Sequence, residues 1–280
     1  MNIDDFNLLS KLIKDRSGLA LTKDKAYLLE SRLLPVARKW NLKSLDELVM
    51  RLRTRSEAGL VRDVVEAMTT NESFFFRDIK PFDQFKQVVL PFLLQARGTT
   101  RNIKVWSAAC SSGQEPYTLS MMLKEERQKL IGWNVDILAT DLSTEILAKA
   151  QAGLYSQFEV QRGLPIQLLV KYFKQAGDRW QIDSAIREMV RYRPFNLLDD
   201  LSGLGQFDVI FCRNVLIYFD QPTKQMVLER MARQLAPDGF LYLGGAETVV
   251  GITDKFQPMA NHRGIYHHAN PAAAARVAGL

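Results

Sequence analysis

The 280-residue chain has little cysteine and little histidine, and each shortage closes a class of chemistry. Two cysteines, Cys110 and Cys212, with no C-x-x-C pair, build neither a disulfide framework nor a zinc site. Three histidines, His262, His267 and His268, lack acidic or cysteine companions at ligand spacing and read as polar ends of a last strand rather than a metal site. No apolar run approaches the length of a membrane span and no basic-then-apolar leader opens the chain, so a cytoplasmic protein without membrane insertion is expected. The +6 net charge is dispersed, with no long basic run and no RNA-recognition aromatic pair, which weighs against nucleic acid as a partner.

What is present divides in two. From Asp4 to about Arg62 apolar residues recur at helical spacing (Phe6, Leu9, Ile13; Leu29, Leu33, Val36; Leu45, Leu48, Leu52), which predicts a small helical bundle with Ser44 and Glu47 forming a capping box. Lys25, Arg32 and Lys39 repeat every seven residues along its second helix. Such an edge is either a solvated rim of long cationic side chains or a docking face for an acidic helix, which Arg51, Arg53 and Arg55 would extend. We expect this helical domain over 1–75 and a linking helix within 76–98.

From residue 99 to 270 strands and helices alternate: strands at 103–107, 135–140, 207–212, 239–244 and 264–268, helices at 115–130, 144–152 and 223–235. That rhythm is α/β, a doubly wound Rossmann-like fold. The interval 154–194 is too long for a simple connection, and its runs at 180–182 and 189–192 predict an inserted small antiparallel sheet with a turn at 177–179. Residues 271–280, rich in alanine, are expected to be a disordered tail.

The organising stretch is Val105-Trp106-Ser107-Ala108-Ala109-Cys110-Ser111-Ser112-Gly113-Gln114-Glu115-Pro116-Tyr117, a strand, a loop of small residues and a helix start. Its backbone can lie close against a ligand. It is not G-x-G-x-x-G, nor does it hold a phosphate-binding lysine. In an open sheet of this kind ligands bind beyond the strands' carboxyl ends. The polar residues expected there are Asp141, suited to ribose hydroxyls, Asn196 beside Leu197, and Arg213 beside Asn214. Glu115 would repel a nucleotide's phosphates, yet it suits the cationic amino-acid end of S-adenosylmethionine; the other reading is an acid placed to favour the helix dipole. Upstream, Asn71, Ser73 and Arg77 frame three consecutive phenylalanines that fit no secondary-structure period.

The segments Asn71-Glu72-Ser73-Phe74-Phe75-Phe76-Arg77, the stretch 106–117, Ala139-Thr140-Asp141 and Phe211-Cys212-Arg213-Asn214-Val215-Leu216-Ile217-Tyr218-Phe219-Asp220, taken in order, resemble the chemotaxis receptor methyltransferase family, CheR. The resemblance implies an all-α domain, then a methyltransferase domain with an inserted β-subdomain. It also implies methyl transfer from S-adenosylmethionine to glutamates on the cytoplasmic helices of chemoreceptors, giving 5-O-methyl esters and S-adenosylhomocysteine for adaptation, without a metal. Carried over residue by residue, cofactor contacts fall on Asn71, Ser73, Arg77, Glu115, Asp141, Asn196, Leu197, Arg213 and Asn214, with Arg77 and Tyr218 at the reacting groups. Lys25, Arg32, Arg38 and Lys39 would then face the acidic receptor helices, and a monomer is expected. The stretch 172–196 is shorter than in members that capture a receptor's C-terminal peptide, which argues against such a tether. An RNA methyltransferase and a cofactor-sensing module without catalysis are the alternatives.

Overall fold

The computed structural model describes residues 2–55 and 57–270; the expected tail lies outside them. The chain forms two compact units, Met1–Thr70 with Tyr218–Thr223, and Asn71–Ile217 with Lys224–Leu280.

The first unit is built on helices α1 (Ile3–Ser17), α2 (Ala26–Lys39), α3 (Leu45–Thr54) and α4 (Ala58–Met68). Their apolar stripes meet: Leu9, Ile13, Leu29, Leu33, Leu48, Leu60 and Val64 are all buried. Ser44 caps α3 by accepting the Glu47 N–H at 3.2 Å. The expected capping box is only half formed, because the Glu47 carboxylate reaches back one residue further, to the Lys43 N–H at 2.7 Å. The short segment 218–223 joins this unit through the Ala20 N–H donated to the Tyr218 carbonyl at 2.9 Å and an ion pair between Lys14 and Asp220 at 2.6 Å.

The second unit opens with α5 (Lys80–Gln84), one π turn (Phe85–Val89) and α6 (Leu90–Ala96). Then come β1 (Asn102–Ala108), α7 (Gln114–Glu125), β2 (Asn134–Asp141) and α8 (Thr144–Ala152). The inserted part holds β3 (Leu154–Ser156), α9 (Gln157–Gln161), α10 (Ile166–Tyr172), β4 (Phe173–Ala176), β5 (Arg179–Ile182) and α11 (Ser184–Arg187). The chain returns through β6 (Val190–Pro194), β7 (Phe207–Cys212), α12 (Gln221–Gln234), β8 (Leu235–Leu243), β9 (Phe256–Pro258) and β10 (Ile265–His268).

A seven-stranded sheet runs in the order β6-β2-β1-β7-β8-β10-β9, with β10 antiparallel to both neighbours and the pairs from β6 to β8 parallel. The chain winds outward from β1 in one direction and resumes at β7 in the other. The switch point therefore falls between β1 and β7. The small sheet, β3-β5-β4, is antiparallel, and its hairpin turns at Gly177-Asp178. Its ends lie together, since the Ile182 N–H donates to the Gly153 carbonyl at 2.9 Å.

Two expected elements differ. The run at 189–192, placed by its sequence in the inserted sheet, is instead the edge strand β6, paired with β2 from Ile137↔Val190 to Asp141↔Pro194. Val190 is buried while Arg191 faces out and pairs with Asp136 at 2.6 Å, the alternation of an edge strand. The helix expected over 115–130 ends at Glu125; Glu126 then binds Lys86 at 3.0 Å and Lys129 at 2.6 Å in a series of turns.

The core of this unit is aromatic. Phe211 on β7 stacks on Tyr242 of β8 with ring centroids 4.3 Å apart, and Phe82 and Phe85 cover it from the α5 side at 6.2 and 6.0 Å. At the amino ends of β7 and β8, Arg97 bridges Asp208 at 2.8 Å and Asp238 at 2.5 Å, a largely buried triad that leaves the opposite, carboxyl edge for chemistry.

Candidate active site

Parallel pairing places the carboxyl ends of the strands in one line. Ala108 lies opposite both Thr140 and Cys212, Asp141 opposite Pro194, and Cys212 opposite Leu243. The connection after β1 is bent by three left-handed residues in alternation, Ala109 (φ 53°), Ser111 (φ 52°) and Gly113 (φ 90°). A Cβ at Gly113 would stand 2.7 Å from the Tyr192 hydroxyl oxygen, so sterics as well as φ demand glycine. The loop is tied to β2 by the Cys110 N–H on the Thr140 carbonyl at 2.9 Å and the Ser111 N–H on Asp141 Oδ2 at 2.8 Å. Asp141 Oδ1 accepts the Ser143 N–H at 3.0 Å.

Glu115, in the first turn of α7, faces the same edge. Its Oε1 accepts from the Ser107 hydroxyl at 2.8 Å and its Oε2 from Arg213 Nη1 at 2.9 Å. Arg213 Nη2 donates to the Arg77 carbonyl at 2.8 Å and to Asp78 Oδ2 at 2.7 Å. The guanidinium is 1% exposed and lies over the Phe82 ring, 5.4 Å from its centroid. Its Nε is buried and has no hydrogen-bond partner among the described residues.

Asn71 joins this group through its carbonyl, which accepts from Ser111 Oγ at 2.9 Å. Arg77 donates Nη1 to the Glu72 carbonyl at 2.8 Å and lies 5.5 Å from the Phe74 ring; Ser73 is half-buried on the same segment. At the end of β6, the Phe195 N–H donates to the Asp141 carbonyl at 2.9 Å, while Asn196 Oδ1 accepts the Leu198 N–H at 3.0 Å and Leu197 is buried. Asn214, at φ 59°, follows Arg213 directly. Tyr218 is grouped with the helical unit. Two hydrogen-bonded groups thus lie at this edge: Glu115, Arg213 and the Arg77 carbonyl in one, and Asp141 and the Asn71 carbonyl, both held by Ser111, in the other.

Burial pushes both thiols up: Cys110 with help from the Asp141 and Glu115 carboxylates, Cys212 with help from those of Glu247 and Glu115. Both are therefore protonated packing groups at neutral pH rather than nucleophiles. Burial lowers His267, and no cluster of three or more His, Cys, Asp or Glu side chains suited to a metal occurs among the described residues.

The family model described as "CheR methyltransferase, SAM binding domain" matches residues 71–265, and that described as "CheR methyltransferase, all-alpha domain" matches 4–69. The chain belongs to the CheR methyltransferase family. It is 44% identical to Chemotaxis protein methyltransferase 1 of Pseudomonas aeruginosa over 95% of this chain and 97% of that one. Its identity to Chemotaxis protein methyltransferase Cher2 of Pseudomonas putida is 40%, over 95% and 98%. Chemotaxis protein methyltransferase 1 of Vibrio cholerae is 41% identical, over 92% and 94%.

The CheR site suits S-adenosylmethionine chemically. Two carboxylates, Glu115 and Asp141, border a loop that carries no lysine, and the cofactor has a cationic end and a ribose diol but no phosphate.

Two CheR residues went unseen in the sequence. Glu247, just past β8, accepts four backbone N–H groups from the β7 and β8 ends. Arg162, from the inserted part, pairs with Glu72 at 2.6 Å and lies over Phe74 at 4.3 Å. Arg162 lies in no periodic pattern and beside no expected strand end, and Glu247 stands three residues beyond the end of the strand expected at 239–244. The four basic residues also divide. Arg32 donates Nη1 to the Met68 and Thr69 carbonyls at 2.8 and 3.0 Å, and Lys39 pairs with Asp63 at 2.8 Å, whereas Lys25 and Arg38 are exposed.

Proposed function

We propose that the chain transfers the methyl group of S-adenosylmethionine to glutamate side chains on the cytoplasmic helices of chemoreceptors, forming glutamate 5-O-methyl esters and S-adenosylhomocysteine. The observation that carries the reading is the pair of carboxylates, Glu115 and Asp141, bordering the small-residue loop at the switch point, backed by membership of a family with a dedicated S-adenosylmethionine-binding domain.

Bound there, the cofactor supplies a methyl group on a sulfonium, already a good leaving group. Glu115 and Arg213 form a pre-set pair to receive its charged amino-acid end, and Asp141 accepts from the ribose. A receptor glutamate with an ordinary pKa of about 4.3 is ionised at neutral pH, so no general base is needed. The protein's work is to align one carboxylate oxygen with the S–CH3 bond and to exclude water, so proximity and fixed dipoles supply most of the rate. Arg77 serves as an orienting donor and Tyr218 as a positioning hydroxyl near the methyl. Lys25 and Arg38 greet the acidic receptor helices, and the enzyme works as a cytoplasmic monomer.

The test is transfer of radiolabelled methyl from S-adenosylmethionine to receptor-bearing membranes, followed by alkali. Release of volatile methanol from receptor-sized bands is expected, because carboxyl methyl esters hydrolyse in base. Alkali-stable label, or label on RNA, would overturn the reading.

A further inference from the structure

We propose that Glu247 is a positioning residue for cofactor binding, acting through Asn214. Strands β7 and β8 are neighbours whose last residues, Cys212 and Leu243, lie opposite each other, so both chains leave the sheet side by side. Beyond that point their N–H groups lose their strand partners. A single carboxylate collects them. Glu247 Oε2 accepts the Gly244 N–H at 2.6 Å and the Asn214 N–H at 2.8 Å, and Oε1 accepts those of Val215 at 3.0 Å and Ile217 at 3.2 Å. The Glu247 N–H in turn donates to the Gly244 carbonyl at 2.9 Å, which closes the turn that presents the side chain.

This grip fixes a conformation the chain would otherwise avoid. Asn214 sits in the left-handed region at φ 59°, directly after the buried Arg213. Its side-chain amide packs over the backbone of Gly244, where a Cβ would stand 2.7 Å from Asn214 Nδ2 and 2.7 Å from Glu247 Oε2. Glu247 thus sets both the backbone turn and the surface on which the Asn214 amide rests. A neutral amide could not replace it, because a glutamine offers one acceptor oxygen and turns its own donors toward the N–H groups. The inference rests on the proposed reading of Asn214 as a cofactor contact; Glu247 itself acts through the loop.

The experiment is calorimetric titration of the full chain with S-adenosylhomocysteine, for the wild type, Glu247→Gln, Asn214→Gly and the double variant. Glycine removes the Asn214 amide without straining a left-handed residue. Loss of hydrogen bonds to a charged acceptor predicts about tenfold weaker binding for Glu247→Gln, with the double variant no weaker than the weaker single one. In methyl-transfer assays KM for S-adenosylmethionine rises by about the same factor as the calorimetric Kd. Binding within twofold of the wild type, or losses that add in the double variant, would overturn the role of Glu247. If Glu247→Gln fails to fold, Glu247→Asp, one methylene shorter with its charge kept, takes its place under the same criteria. Should Asn214→Gly bind normally while Glu247→Gln binds weakly, the route through Asn214 falls. A wild-type chain that binds the product tightly yet methylates no receptor would sink the substrate reading and leave this inference standing.

Discussion

The Tyr155 hydroxyl donates to the Ser112 carbonyl at 2.7 Å. Tyr155 belongs to β3 of the inserted sheet and Ser112 to the loop after β1, so the insertion holds the small-residue loop of the candidate site. The Tyr155 ring also meets the Phe75 ring edge-on at 5.0 Å, and Phe75 belongs to the segment of Asn71 and Arg77. One side chain therefore steadies two walls of the site.

Tyr155→Phe keeps the ring and removes only the donor. A buried carbonyl losing its partner predicts a loss of about 1–2 kcal/mol in urea denaturation. Weaker binding of S-adenosylhomocysteine should accompany it. Unchanged affinity would separate the insertion from cofactor binding.

Gly113→Ala forces a Cβ into 2.7 Å of the Tyr192 oxygen and 3.0 Å of the Ala150 Cβ, at a φ that alanine resists. We expect a cost of about 1–3 kcal/mol and a collapse of cofactor affinity. Adding Tyr192→Phe should restore part of both, because it withdraws the nearest atom; calorimetry on the two variants reads the difference.

The Lys14 ammonium, with Thr223, holds the Asp220 carboxyl at about 2, below its ordinary 3.8. A lowered folded-state pKa means that the stabilisation is complete above the unfolded value and is lost as pH falls through the folded one. Wild-type stability should accordingly drop more than that of Asp220→Asn between about pH 5 and about pH 2. Parallel urea midpoints for the two proteins across that window would refute the linkage. The pair is partly exposed, so the effect should be small and weakened by salt.

Lys25→Glu with Arg38→Glu tests docking without touching an internal bond. Receptor methylation at low ionic strength should fall about tenfold in kcat/KM, and the gap should close at about 0.5 M salt. Arg32→Glu is a different experiment, since it strips the Met68 and Thr69 carbonyls of their donor and should cost about 2 kcal/mol of stability.

The sequence made the fold legible wherever a local period or a strand-to-helix junction carried the signal. The α/β alternation and the inserted antiparallel sheet are as read, and the periods at 144–152 and 207–212 fall on α8 and β7 residue for residue. Where pairing is decided at long range the reading failed: Val190 to Tyr192 has the alternation of an edge strand, and nothing local says which of two sheets it joins. Phe256–Pro258 is too short and too proline-bound to announce itself as a strand. Charge was legible in kind but not in use, since a heptad of cations looks alike whether it meets water, as Lys25 does, or carbonyls 36 residues away, as Arg32 does. Glu247 is the extreme case. Its partners are backbone N–H groups, which every residue type but proline carries, so no pattern of side chains could have pointed to it.

The hydrogen bond between the Ile182 N–H and the Gly153 carbonyl closes the neck of the inserted sheet. A segment that starts and finishes at neighbouring positions can change length or be exchanged for another without shifting the strands on either side of it. Grafts between relatives at this neck should thus leave the catalytic frame in register, provided the incoming piece brings a hydroxyl for Ser112, cations for Glu72 and Glu125 and a carboxylate for Lys149. The insertion is a replaceable cartridge with fixed pins.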